Sequence, residues 1–392
     1  MDNESMTGLG GEILKRVETA RFGPFKFQVG VNAAEVEILF QRVGDAQARF
    51  AKFPLAHVAT QLEQEVLASS VFGTNSIEGG TLTEIETKRV LSLDPAQIRD
   101  VERRRVVNIK AAYDLARGKA ETPGWQPDVE FIQTIHAMIT EGVPHPYNKP
   151  GKIRDNPKEI ITSVGDEAHG GSYKPPQYGG DVRLLLGQLV EWHDELVRNK
   201  VSALIRAPLI HYYYELIHPF WDGNGRVGRV LEATILHAAG FRYAPFAMAR
   251  YYLENIDRYY TLFNHCRKLG ERKDAGPNTS FVAFHLEGML ACINQLHDRA
   301  NVIVKFLLFE TQIKRALDSR EINFRQYTIL TQLLVQGEPQ PLDKLRQAPW
   351  YESLYIKRGD KTRRRDLRKL KEKGLVYLDT ENCLWPGFMR PE

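Results

Sequence analysis

Residues 218–229 read His-Pro-Phe-Trp-Asp-Gly-Asn-Gly-Arg-Val-Gly-Arg, twelve positions that concentrate groups able to handle a polyphosphate. Gly223 and Gly225 let the backbone approach a ligand closely and take conformations closed to other residues. A helix beginning near Gly225 would aim its free N–H groups and positive dipole end at the same spot. Arg226 and Arg229 are three residues apart, so they share a face of that helix's first turn, where guanidinium forks match phosphate oxygens. Asp222 offers a hard oxygen ligand for Mg²⁺, which commonly binds one carboxylate together with substrate phosphates. His218, just upstream, suits a general base that meets an incoming nucleophile. The joint occurrence points to a polyphosphate site for phosphoryl-type transfer.

The elements that must hold these residues are mostly helical. Apolar residues recur at three- and four-residue spacing over 59–72, 98–116, 129–141, 182–198, 203–217 and 282–317. Proline and glycine clusters such as Pro-His-Pro-Tyr-Asn-Lys-Pro-Gly at 144–151 separate them. One interval, 151–180, breaks the pattern with a β-branched run at 160–164, many glycines and Pro175-Pro176, and reads as an irregular β-hairpin or flap. Beyond Arg320 a helix over 324–335 ends near Gly337, a short helix covers 342–347, and a basic helix over 360–373 is closed by Gly374. Strands at 375–378 and 383–385 flank a turn at 380–382. Helix, helix, helix, hairpin is the order of a winged helix-turn-helix. The expected fold class is mainly α, with a small α+β module at the end.

Composition sets the limits. The 392 residues include 43% hydrophobic and 26% charged residues, ordinary globular values that exclude disordered and collagen-like classes. Cys266, Cys292 and Cys383 form no C-x-x-C pair, which argues against a zinc knuckle or disulfide framework and suits a reducing compartment. No 18-residue apolar run spans a membrane, and the first twenty residues lack the apolar core of a leader, so the expectation is a soluble, cytoplasmic protein. Residues 320–392 hold 15 of the 53 Lys and Arg but 10 of the 49 Asp and Glu, so their surplus of five exceeds the net +4 of the whole chain. That asymmetry suggests a separate module with an anionic partner.

The 218–229 segment resembles the signature of the Fic family, H-x-F-x-[DE]-G-N-G-R-x-x-R, at every fixed position. The similarity extends over roughly 120–270 and implies a helical bundle with a β-hairpin flap. It also implies transfer of AMP from ATP, with Mg²⁺, to a Ser, Thr or Tyr hydroxyl of a target protein. On that resemblance His218 would deprotonate the hydroxyl, Asp222 would hold Mg²⁺, and Asn224 with Gly225 and the adjoining amides would surround the α-phosphate. Arg226 would neutralise the β-phosphate and Arg229 would grip the γ-phosphate, with Gly223, Val227 and Gly228 completing the nucleotide-binding segment. Phe220 would be a core anchor. Tyr259 and Tyr260 resemble the pair that lines the family's adenine pocket, while Arg267 stands where the compared relative has Asn. The flap at 151–180 would align the protein substrate by strand addition.

Upstream, Thr74-Asn75-Ser76-Ile77-Glu78-Gly79 resembles the family's inhibitory motif, [ST]-x-x-x-E-[GN]. Thr74 and Glu78 share a helix face, and Gly79 is a natural terminator. The resemblance therefore implies an adenylyltransferase self-inhibited by Glu78. Two alternatives stand beside it: an enzyme that both adds and removes AMP or predominantly removes it, with Glu78 orienting water, and a DNA-binding regulator whose Fic domain senses nucleotide. The expected layout is 1–118 as a helical region with the inhibitory helix, 119–319 as the Fic core, and 320–392 as the winged-helix domain. The family likeness is compatible with self-modification and with a homodimer. The basic 360–373 helix is the candidate DNA contact.

Overall fold

Phe25 and Phe27 alternate with exposed residues in β2 (Pro24–Gln28), which pairs antiparallel with β1 (Leu14–Glu18), Leu14 facing Gln28 and Glu18 facing Pro24. The computed structural model describes residues 13–53 and 58–390; the start of the stretch read above for a leader lies outside them. This hairpin adds two strands to a region, 1–118, whose expected structure is helical. Its period-2 burial places Phe27 against Trp192 and Tyr213, and the Asp181 carboxylate accepts the turn's Ala20, Arg21 and Phe22 N–H groups at 2.9 Å each.

Helices follow in close succession: α1 (Ala33–Ala51), α2 (Ala59–Ile77), α3 (Glu84–Leu91), α4 (Val101–Ala120) and α5 (Val129–Thr140). After the irregular 151–178 stretch come α6 (Gly179–Arg198), α7 (Ala203–Ile217), α8 (Asn224–Ala238), α9 (Ala244–Glu254), α10 (Ile256–Glu271) and the 40-residue α11 (Thr279–Asp318). The chain forms two compact units, with 13–53 and 59–297 in the first and 298–390 in the second.

In the first unit α7 and α8 are buried on nearly every face and form its centre. The two helices are joined by the 218–223 loop, so their packing fixes that loop from both ends. Helix α2 lies against α9 at close range: a Cβ on Gly73 would fall 2.7 Å from the Ala249 carbonyl carbon. The stretch read as a flap contains one antiparallel bridge, Val164 with Tyr173, and a short 3₁₀ turn at Glu167–His169.

The second unit contains α12 (Phe324–Gln336), β3 (Gln340–Pro341), α13 (Leu342–Gln347), α14 (Pro349–Ser353), α15 (Asp360–Glu372), β4 (Val376–Leu378) and β5 (Cys383–Pro386). Its strands form a sheet in the order β3-β5-β4, and its core joins Ile313, Ile329, Leu333, Tyr351, Leu370 and Leu384. The sequence pattern reveals neither β3, only two residues long, nor α14, a single turn opened by Pro349.

Gly73→Ala should force α2 away from α9. Overpacking of this kind costs about 1–3 kcal/mol, so urea denaturation should show that loss, whereas Gly118→Ala, which meets nothing within 4 Å, should not.

Candidate active site

Helix α7 ends at Ile217, and His218 takes the left-handed conformation at φ 49°, ψ 63°, its N–H bonded to Tyr214 O at 2.9 Å. A non-glycine residue there costs roughly 1–2 kcal/mol, so its neighbours must hold it. Arg154 does much of this: its Nε donates to His218 O at 2.6 Å and its backbone N–H to Pro219 O at 2.9 Å. The His218 ring is about one-fifth exposed, and its Nδ1 lies 3.5 Å from Glu215 Oε2. Glu215 sits one turn earlier on the same helix face, a spacing from which its proximity was readable.

The loop from 219 to 223 is closed by side chains. Asn224 Nδ2 donates to Phe220 O at 2.8 Å while its Oδ1 accepts from Phe220 N–H at 3.0 Å. The amide expected to face the α-phosphate is thus spent on loop closure, and the ligand side is left to the helix N–H groups. Phe220 is fully buried and stacked on His136, with ring centroids 3.6 Å apart. His136 Nδ1 accepts from Gly151 N–H at 2.9 Å, so its Nε2–H donates to Asp222 O at 3.0 Å. Burial lowers this imidazole's pKa to about 4, which keeps it neutral.

Gly223 has φ +83° as the N-cap of α8, where a Cβ would also press on Thr140 at 3.1 Å. From the first turns of α8 rise Arg226 and Arg229, both almost fully buried. Arg226 Nη2 donates to Asp222 Oδ1 at 2.8 Å. Burial acts to raise the Asp222 pKa, but the Arg226 guanidinium and the Gly223 N–H hold it below its ordinary value. The Asp222 side chain is about 30% exposed. Arg226 Nε and Nη1 and Arg229 Nε have no hydrogen-bond partner among the described residues, so donors remain for an incoming anion. Val227 is buried in the core, and Gly228 leaves room that Glu215 and His211 fill, since a Cβ there would lie 2.8 Å from each.

Glu78 occupies the mouth of this site. It follows the last residue of α2, and Gly79 at φ +77° turns the chain away. Arg105 Nη2 holds Glu78 O at 2.8 Å. The Glu78 carboxylate accepts from Arg229 Nη2 at 2.7 Å. It lies so close over the first turn of α8 that a Cβ on Gly225 would collide with Glu78 Oε1. Burial alone would raise its pKa, yet Arg229 and Arg226 outweigh that and hold it below 4.5. Burial works against the charge of Arg229, and Glu78 more than restores it, so the arginine's pKa is raised.

Behind Arg229 stands a buried polar chain. Its Nη1 donates to the Tyr259 hydroxyl at 3.4 Å, which lies 3.1 Å from His211 Nε2, and His211 Nδ1 lies 2.6 Å from Glu232. Tyr252 and His285 complete it: the Tyr252 hydroxyl donates to Glu232 at 2.7 Å and lies 3.1 Å from His285 Nδ1. No local sequence pattern marks this chain, whose members come from α7, α8, α9, α10 and α11 and meet only in the fold. Tyr259 is therefore a core residue stacked on Tyr252, whereas Tyr260 is half-buried and donates to Ile77 O at 3.0 Å. Arg267 covers the Tyr173 ring of the flap at 5.1 Å. Glu78, His218, Asp222, Arg226 and Arg229 thus meet around the N-terminus of α8.

Residues 126–236 match the Fic/DOC family. A protein adenylyltransferase fic-1 of Caenorhabditis briggsae is 26% identical over 259 residues, 64% of this chain and 46% of that relative. A protein adenylyltransferase Fic of Drosophila grimshawi is 34% identical over 113 residues, 29% of this chain and 21% of its own. Among solved structures, Fic-1 (aa134–508) from C. elegans has a TM-score of 0.54 at 23% identity, covering 69% of this chain and 74% of that one. A Fic family protein from Desulfovibrio desulfuricans has a TM-score of 0.55 at 18% identity, covering 90% and 95%. Residues 126–236 therefore match a Fic domain, and the mainly helical fold is the one these Fic-family structures share. The chain spans less than half the length of these curated relatives.

The Glu78–Arg229 pair carries a pH signature. Because the folded carboxylate pKa is lowered, its stabilisation is complete above about pH 4.5 and is lost as pH falls through the lower folded value. Glu78→Gln should therefore lower stability by about 1.5–3 kcal/mol near pH 7, and the gap between the two melting temperatures should close below pH 4.5.

Proposed function

We propose that this chain is a protein adenylyltransferase that moves AMP from ATP to a hydroxyl of a target protein and is held in check by Glu78. The observation that carries the reading is the carboxylate paired with Arg229 over the start of α8. That position is where an anion would otherwise meet helix N–H groups and two arginines. In the proposed reaction His218 takes the proton of a target hydroxyl, whose oxygen attacks the α-phosphorus. The bond to the β-phosphate breaks, and pyrophosphate leaves with its charge met by Arg226 and Arg229. Catalysis of this kind rests on positioning and charge stabilisation.

Asp222, ionised and partly exposed, suits Mg²⁺ held by one carboxylate and substrate phosphates. Among the described residues no cluster of three or more acidic, His or Cys side chains offers another metal site. The bound ion would neutralise the phosphates. The protein substrate would lie along the 151–180 flap, where Ile161 is exposed beside the Val164–Tyr173 bridge. Among the described residues no helix is long and apolar enough to cross a membrane.

The test is incorporation of labelled AMP into protein. Glu78→Gly should free Arg229 and raise incorporation, self-modification included, well above the native level. Adding Arg229→Ala should remove most of the gain, and adding His218→Ala should lower transfer by about 10²–10⁴-fold. Incorporation unchanged or lowered by Glu78→Gly would contradict the inhibitory role and leave Glu78 an ordinary ion pair, whereas release of AMP from labelled protein that the native chain performs and Glu78→Gly does not would assign it to AMP removal.

A second activity is favoured by the exposed face of α15. Asp366 and Leu370 are buried, with Asp366 bound by Arg325 at 2.9 Å, while Lys361, Arg364, Arg365, Arg368 and Lys369 are exposed. A basic helix of this kind suits duplex DNA. Binding by the whole chain should fall steeply with salt, with a log–log slope of about −0.9 per phosphate contact. Arg364→Glu, Arg365→Glu and Arg368→Glu together should abolish it; salt-independent or absent binding contradicts this activity.

A further inference from the structure

Arg154 is about 1% exposed, yet no carboxylate among the described residues pairs with it. A buried cation without a counter-ion is expensive unless every N–H finds an acceptor. Here the acceptors are chosen from two parts of the fold. On one side Nε donates to His218 O at 2.6 Å and Nη2 to Ile217 O at 3.3 Å, the last carbonyl of α7 and the first beyond it. On the other, Nη2 donates to Pro176 O at 2.5 Å and Nη1 to Asn156 Oδ1 at 2.7 Å, at the root of the flap. Burial lowers the guanidinium pKa only to about 10, so it remains charged at neutral pH.

The flap side is itself cross-linked. Asn156 Nδ2 reaches Thr162 Oγ1 and Gln177 Oε1, each at 2.8 Å, and Gln177 Oε1 also accepts from Thr162 N–H at 2.8 Å. Both arms leading to the Val164–Tyr173 bridge are thereby tied to one planar group. That same group restrains the left-handed turn whose side chain is the general base. Asp222, by contrast, is oriented through His136, and the arginines rise from α8, so the nucleotide side has separate supports.

We infer that Arg154 is a positioning residue that couples the flap to His218, setting the base where a hydroxyl presented along the flap can reach it. The inference rests on the adenylyltransferase reading of this site. A planar fork is required, because a lysine has one compact donor head and cannot serve both the His218 turn and the flap root. Misplacing reacting groups by about 1 Å can lower a rate by about 10²-fold.

The experiment compares Glu78→Gly with Glu78→Gly carrying Arg154→Lys or Arg154→Met, in the full chain. AMP incorporation into protein is measured beside the affinity for an ATP analogue, the melting temperature and the NMR titration of the His218 ring. Arg154→Lys should lower the turnover of transfer by about 10²-fold while analogue affinity stays within about twofold and the His218 titration shifts. Asn156→Ala, which frees the flap root but leaves Arg154 in place, should give a smaller loss of the same kind. Transfer equal to the Glu78→Gly parent would overturn the inference. So would transfer, affinity and melting temperature falling together, which would mean that Arg154 serves folding alone. If Glu78→Gly itself transfers no AMP, the adenylyltransferase reading fails first. The His218 titration and hydrogen exchange at the flap then decide the coupling, and an unchanged titration in Arg154→Lys refutes it.

Discussion

A carboxylate over the start of α8 is the interaction on which the rest of this domain depends. The helix begins with free N–H groups and places Arg226 and Arg229 inside the protein, where unpaired cations are costly. Something anionic has to meet them. In the isolated chain Asp222 meets Arg226, and Glu78 meets Arg229, delivered by the end of α2 and fixed there by the Gly79 turn and by Arg105. On the proposed function, phosphate oxygens and Glu78 would compete for Arg229, so inhibition and catalysis would be two occupancies of one charge.

Support for Arg229 runs deep. The chain through Tyr259, His211 and Glu232 reaches α7, α8 and α10, and Tyr252 and His285 extend it to α9 and α11. Glu232 is buried, and although burial opposes its charge, His285 and His211 hold its pKa below the ordinary carboxylate value. A fixed negative charge near the inner end of the chain lets the arginine keep its place when its outer partner changes. Arg154 plays the matching part for His218 by using carbonyl oxygens instead of a carboxylate.

Features that rest on local chemistry were legible in the sequence. Helix periodicity located α5, α6 and α7 to within a few residues, and the glycines at 79, 223, 337 and 374 all adopt positive φ where a turn or cap was expected. The sites of His218, Asp222, Arg226, Arg229 and Glu78 around one helix start also followed from spacing and resemblance. What escaped depends on partners distant in sequence. Arg154 binds backbone carbonyls, which leave no residue signature, and the aromatic pair at 259–260 splits between the core and the end of α2. Asn224 turns inward because its side chain matches the two backbone groups of Phe220 four residues earlier. The β1–β2 hairpin escaped because its pairing is fixed by burial against Trp192 and Tyr213, far along the chain.

The most direct measurement is a pair of crystal structures with a non-hydrolysable ATP analogue, one of the native chain and one of Glu78→Gly. In the variant the γ-phosphate should lie within hydrogen-bond distance of Arg229, with the α-phosphorus facing His218. In the native chain Glu78 should still hold Arg229 and the γ-phosphate should lie elsewhere. A native complex in which the γ-phosphate sits on Arg229 while Glu78 keeps its present contact would contradict the competition for that arginine.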